Sequence, residues 1–171
     1  PAPANPRYEG PGVAPARNVL GGELQCCCAD VRGTGIGTGF FRDGFCSTGW
    51  QDEGRHTACI EATAEFLAYS KSVGNDLSQP IPQYYFPGVQ PGDRWCLCAA
   101  RWAQAHDAGC APRLWLRATH ERTLEFVPLE VLKRYAIDLD EAEEDEAYLD
   151  ALRAQLAGIQ VLGEEPPTPG A

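Results

Sequence analysis

Eight cysteines, at positions 26, 27, 28, 46, 59, 96, 98 and 110, carry the most versatile chemistry in this chain of 171 residues. Thiolates bind soft metals, exchange with disulfides and attack electrophiles. Cys96 and Cys98 lie two apart in a segment that reads as a strand, which points both side chains to one face. Cys59 occupies a second such segment, and Cys46 with one of Cys26, Cys27 and Cys28 would close a tetrahedral set. The metal-ligating candidates are Cys46, Cys59, Cys96 and Cys98, for zinc or an iron-sulfur cluster. Their spacing matches no standard ligand motif, because no Cys-x-x-Cys pair occurs. Buried packing competes with ligation: free cysteine is among the most buried residue types, and Trp95-Cys96-Leu97-Cys98 also fits a strand covered on both faces.

Two other chemistries are weaker in the sequence. The Cys26-Cys27-Cys28 triplet sits in a loop and offers attacking and resolving thiols, but only Arg32 is near enough in sequence to favour a thiolate. Acid-base candidates are His56, His120, Glu121, Asp43 and Asp93. None forms a motif that reaches a reaction class, so the catalytic residues stay unassigned. The run Gly33-Thr34-Gly35-Ile36-Gly37-Thr38-Gly39 matches neither G-x-G-x-x-G nor a G-K-[ST] ending, which removes a nucleotide cofactor from the reading.

The elements that must position these groups alternate. Residues 56–61 read as a strand leading to a helix that Thr63 caps and Gly74 stops, with Glu65 in its first turn and Lys71 in its last. Residues 95–99 alternate as a strand, 102–108 as a short helix closed by Gly109, and 113–118 as a further strand. Residues 121–127 can add another, and Pro128 opens a helix with Leu129, Leu132 and Ala136 inward. Between them, residues 75–93 form a long connection with Tyr84, Tyr85 and Phe86 together, of the kind that is packed or functional. The order predicts an α/β (or α+β) domain, with a small, largely parallel or mixed sheet and packed helices.

Three regions follow from composition: a Pro-rich leader over residues 1–17, one globular cysteine-rich domain over 18–137, and an acidic helical extension and tail over 138–171. The formal charge is −10, and residues 138–165 hold ten acids against Arg153 alone, so the body is electrically close to neutral. No basic footprint for nucleic acid exists. In the extension Leu149, Leu152, Leu156 and Ile159 make one narrow apolar stripe, suited to the parent domain or to a protein partner. No apolar run reaches membrane-spanning length, and no secretory leader is visible. Methionine is absent even at position 1, so a processed product is expected. With 44% apolar residues the chain can build a core without disulfides, which points to a soluble protein of a reducing compartment.

The segments Asn18-Val19-Leu20-Gly21, residues 38–46 (Thr-Gly-Phe-Phe-Arg-Asp-Gly-Phe-Cys), residues 65–71, Gly74-Asn75-Asp76-Leu77-Ser78, Phe86-Pro87-Gly88 and residues 91–99 together resemble the family called domain of unknown function 2237. Ala118-Thr119-His120-Glu121 and Leu132-Lys133 extend the likeness, which covers about residues 17–137. The resemblance implies uncharacterised proteins of bacteria and some eukaryotes with no assigned activity, so it transfers no catalytic role. The glycine-rich insertion after Asp30, the third thiol of the triplet and the acidic tail depart from that pattern.

The preferred expectation is a non-catalytic accessory or protein-interaction module, a peripheral subunit of a large assembly. A bacterial source places it in the cytoplasm. A eukaryotic source places it in plastid stroma or mitochondrial matrix, for instance in a photosynthetic complex. The alternative is a small cysteine-ligated metal-binding or thiol-redox protein.

Overall fold

The computed structural model describes residues 15–161; residues 1–14 and 162–171, which hold most of the leader and the end of the tail, lie outside the described residues. In chain order the elements are β1 (His56–Glu61), α1 (Ala64–Ser72), β2 (Arg94–Cys98), α2 (Ala99–Asp107), α3 (Leu129–Lys133) and α4 (Leu139–Val161). Short 3-10 turns occur at Pro82–Tyr84, Leu116–Ala118 and Glu121–Glu125. This is a mixed α/β fold.

α1 starts where the Thr63 hydroxyl accepts from the Phe66 N–H at 3.1 Å. It ends before Gly74, whose φ of +90° a side chain would resist. The helix and the long connection after it do not cross the sheet. They leave and return at the same end, because Gly92 N donates to the Ala62 carbonyl and Ala62 N to the Asp93 carbonyl, each at 2.8 Å. β2 therefore runs antiparallel to β1, with Cys59 opposite Cys96, Ile60 opposite Trp95 and His56 opposite Cys98. The alternation of elements left a largely parallel or mixed sheet open; these two strands pair antiparallel for this reason.

The strand expected over residues 113–118 contracts to one residue. Leu114 bridges Ile60 antiparallel and Ala136 parallel. The Asp138 carboxylate then takes the Leu116 and Arg117 N–H groups at 2.8 and 3.0 Å, which turns the chain out of extended geometry. Residues 121–125 form a 3-10 turn rather than a strand because the His120 ring accepts from the Arg122 N–H at 3.0 Å.

Both faces of the two strands are covered. On one, Ala58, Ile60, Trp95 and Leu97 meet Phe66, Trp102, Leu114 and Leu132, all buried. The Trp102 indole N–H reaches the Pro112 carbonyl at 3.0 Å, so the largest core side chain leaves no polar atom unsatisfied. On the other face Cys59 and Cys96 meet Cys27, Cys46 and Ala118.

α4 divides into two halves. Its first turns fold onto the domain, with Ala142 fully buried and ion pairs Arg117–Asp145 and Lys133–Glu146, both 2.8 Å. Beyond Leu149 the stripe stands in water, with Leu152, Leu156 and Ile159 exposed. No helix among the described residues is long and apolar enough to cross a membrane.

Asp138→Ala strips both carboxylate acceptors from the Leu116 and Arg117 amides. Urea unfolding is expected to show a loss of about 2–4 kcal/mol, the penalty for buried donors left without partners, with Asp138→Asn intermediate.

Candidate functional site

Two groups of reactive side chains flank the β1–β2 pair. The first is built from four cysteines. Cys59 and Cys96 face one another across the strands. Cys27 and Cys46 arrive on two loop segments that the Gly44 carbonyl joins, accepting from the Cys27 and Cys28 N–H groups at 2.7 and 3.2 Å. Gly44 holds φ at +96°, and a Cβ there would meet the Cys28 oxygen and the Ala29 Cα at about 3 Å, so only glycine fits the junction.

Two disulfides join these corners. Cys27–Cys59 has its Cα atoms 5.7 Å apart and Cys46–Cys96 has them 5.3 Å apart. All four residues are at most 2% exposed. The sulfurs of Cys27, Cys46 and Cys59 lie within 4.8 Å of one another, close enough to share a metal ion. The Thr38 hydroxyl lies 3.6 Å from the Cys96 sulfur, and the Arg94 guanidinium stacks 3.9 Å from the centroid of Trp115, which packs on the cluster.

The second group lines a cavity of about 640 Å³ on the other side of the strands. Its apolar wall includes Phe40, Phe86, Trp95 and Leu97, and its polar lining includes Arg42, Asn75, Asp76, Arg101, His56 and Cys98. His56 Nδ1 meets the Asp52 carboxylate at 2.6 Å. That carboxylate is 1% exposed and also accepts from the His56 N–H at 2.9 Å and the Thr48 hydroxyl at 3.0 Å. Burial pushes the Asp52 carboxyl up, but hydrogen bonds and the charge of His56, with the Thr48 hydroxyl, outweigh it and hold the group below its ordinary value. An ionised Asp52 accepts, so Nδ1 carries the proton and Nε2 faces away from the carboxylate.

Arg42 adopts φ of +57° and spends its donors on backbone, reaching the Gly39 carbonyl at 2.6 Å and the Tyr85 carbonyl at 3.0 Å. Its guanidinium lies 5.3 Å from the Trp95 ring centroid, and burial lowers its pKa. Tyr84 and Phe86 border the cavity rather than fill it.

Of the residues singled out from sequence, Cys46, Cys59 and Cys96 come together and Cys27 joins them. Cys98 does not share their face. β2 ends at this residue, which caps α2 with φ −54° and ψ 125°, and β1 slips register between His56 and Ala58. The same-face geometry of a regular strand breaks there, and Cys98 lines the cavity instead. Leu149 borders a pocket that Asn18 and Gly22 also line, apart from the exposed Leu152, Leu156 and Ile159.

His120 is fully buried as a turn cap, Glu121 begins that turn, Asp43 accepts from the Phe45 N–H, and Asp93 pairs with Arg32 at 2.9 Å. Sequence reasoning named His56 but passed over Asp52. Their i, i+4 spacing lies outside any helix, so no periodicity marked it.

Asp52 gives a stability prediction with a definite sign. Its folded-state pKa is depressed, so its contribution is present above the unfolded carboxyl value of about 4 and fades as pH falls through the folded value. Asp52→Asn is expected to destabilise the chain by about 1–3 kcal/mol at pH 7. The deficit should shrink below about pH 4, read as the difference in denaturation midpoints between variant and wild type.

The segments through which the chain resembles domain of unknown function 2237 converge on these two groups. Phe40, Arg42, Asn75, Asp76, Leu77, Phe86, Trp95, Leu97 and Cys98 border the cavity, while Cys46 and Cys96 hold the disulfide centre. No curated protein matches the chain. The family profile described as "Uncharacterized protein conserved in bacteria (DUF2237)" matches residues 17–136, well over half the chain, and the protein belongs to that family.

Proposed function

We propose that the protein is a thiol-based metal and redox module whose working group is the centre formed by Cys27, Cys46, Cys59 and Cys96. One observation carries the reading: two loop sulfurs and two strand sulfurs close a compact, water-excluded set of four. Tetrahedral zinc requires thiolates about 3.8 Å apart, given zinc-sulfur bonds of about 2.3 Å. Three of the sulfurs already fall within 4.8 Å of one another. Once the disulfides open, bonded sulfurs must separate by about 2 Å and the others draw together, Cys96 joining the three from outside their group.

The two states interconvert with simple balance. Each disulfide accepts two electrons and two protons from a dithiol reductant, giving four thiols in all, and one zinc ion then displaces four protons. Two molecules of peroxide, with four protons from solvent, take the four electrons back, release the metal and leave two disulfides and four waters. Arg94 beside Trp115 supplies positive charge near the tetrathiolate, and the Thr38 hydroxyl lies 3.6 Å from the Cys96 sulfur. In a reducing compartment the thiolate form prevails, and the disulfide pair is the form that follows oxidation. In this reading Cys27 takes the ligand position assigned from sequence to Cys98.

A second reading has its own observation. The exposed Leu152, Leu156 and Ile159 extend past the body of the domain, which favours an accessory role through a helix-docking partner. The two readings are compatible, since a redox module can report through the helix attached to it.

Zinc content and thiol counts test the principal reading together. Protein reduced and exposed to zinc without oxygen is expected to hold one zinc per chain by elemental analysis. Cys98→Ala should keep it and Cys27→Ala lose it. Peroxide should release the metal and remove four titratable thiols. Reduced protein that exposes all its thiols and retains no zinc overturns the proposal.

A further inference from the structure

The cavity holds a second chemistry that the disulfide centre does not use. Cys98 lies outside both disulfides. It pairs with His56 at the end of the antiparallel register, where β1 slips between His56 and Ala58, and both residues line the cavity. As cross-strand partners bordering one cavity, they offer it a thiol and an imidazole from neighbouring backbone. His56 is oriented by the buried Asp52 at 2.6 Å, so in the neutral ring Nε2 is the nitrogen left to receive a proton. Phe40 stacks near the ring, with centroids 6.3 Å apart.

We propose that Cys98, His56 and Asp52 form a nucleophilic site for a small activated acyl compound, an ester or thioester with an apolar acyl group. The cavity supplies the binding surface: Phe86, Trp95, Leu77 and Leu97 receive the acyl chain, and Arg101 stands where an anionic end of the substrate can pair. The Cys98 sulfur attacks the acyl carbon while His56 Nε2 accepts the thiol proton. The carbon–oxygen or carbon–sulfur bond to the leaving group breaks, and the imidazolium returns its proton to that group. Water then adds to the acyl-cysteine, His56 takes its proton, and the free acid departs as the thiol is restored. Oxyanion charge can rest on the Ala100 and Arg101 N–H groups in the first turn of α2, which follows Cys98 without a side-chain cap, the Ala99 N–H being held by the Arg55 carbonyl at 2.9 Å. Asp52 is a positioning residue, acting only through the ring it holds.

The chain carries its own controls, because Cys28 and Cys110 are half-exposed thiols away from the cavity. With p-nitrophenyl butyrate as probe, peptide mapping is expected to show Cys98 acylated about 10²-fold or more faster than either, the range that a positioned base contributes. Cys98→Ser should end the burst of nitrophenol. His56→Ala should remove the excess rate, with partial recovery in added imidazole, and His56→Gln should behave alike. That ring is 41% exposed, and after its loss Asp52 keeps the residue-56 N–H and the Thr48 hydroxyl as donors. Asp52→Asn should slow acylation and Asp52→Glu should restore part of it, a recovery that general loosening of the fold would not produce. Acylation of Cys98 at the rate of Cys28 and Cys110, or a rate unchanged in His56→Ala, overturns the site. Neither residue belongs to the disulfide centre, so the outcome is independent of the zinc measurement.

Discussion

Two strands of five or six residues do not hold together in water unless both faces are covered, and the register of β1 on β2 governs how the rest of this molecule covers them. Placing Cys59 against Cys96 puts two sulfurs side by side on one face. Placing Ile60 against Trp95 builds the apolar core on the other. The same register sets His56 against Cys98 at the end of the pair, where the irregularity in β1 and the start of α2 turn both residues toward the cavity. A slip of one residue would exchange the faces and dissolve all three arrangements.

The first forty described residues contain no regular helix or strand, so side chains and cross-links must do the ordering. Cys27–Cys59 and Cys46–Cys96 close loops of 32 and 50 residues. On a chain-entropy estimate each is worth about 4 kcal/mol against the unfolded state, with less than additive effect because the loops overlap. Arg32 complements them by binding the Asp93 carboxylate and the Gly88 carbonyl, which ties the glycine-rich loop to the end of the long connection. That loop bends tightly through left-handed glycines and returns Thr38 to the Cys28 carbonyl at 3.0 Å.

What the sequence disclosed follows from how local each signal is. α1 was legible because Thr63, Glu65, Lys71 and Gly74 write its beginning and end within a dozen residues. β1 and β2 were legible by alternation and apolar content. The segment over 113–118 alternates just as well, but the Asp138 carboxylate arrives from more than twenty residues away and bends it, which no local pattern can register. Half of the cysteine centre was accessible on the same terms: Cys59 and Cys96 share a sheet face, whereas the choice of Cys27 within its triplet depends on the Gly44 carbonyl. The stripe on α4 was visible as a periodicity, yet which half would be covered depended on Arg117 and Lys133 reaching Asp145 and Glu146.

The two reactive groups are separated by the sheet but share one stretch of backbone. Phe40 and Arg42 line the cavity, Thr38 touches the Cys96 sulfur, and Cys46 ends the stretch in a disulfide. Its remaining ties are short: the Arg42 side chain to the Gly39 and Tyr85 carbonyls, the Gly44 carbonyl to the Cys27 and Cys28 amides, and the Gly44 N–H to Thr38 at 2.9 Å. Gly39, at φ of +94°, packs so closely that a Cβ would run into the Phe45 carbonyl, so the stretch has little room to relax by sliding. The Cys46–Cys96 disulfide anchors one end of the stretch covalently, while Arg42 holds the other end on the cavity wall. The disulfide centre and the cavity wall thus share the same nine residues, 38–46, and the contacts that order one also order the other.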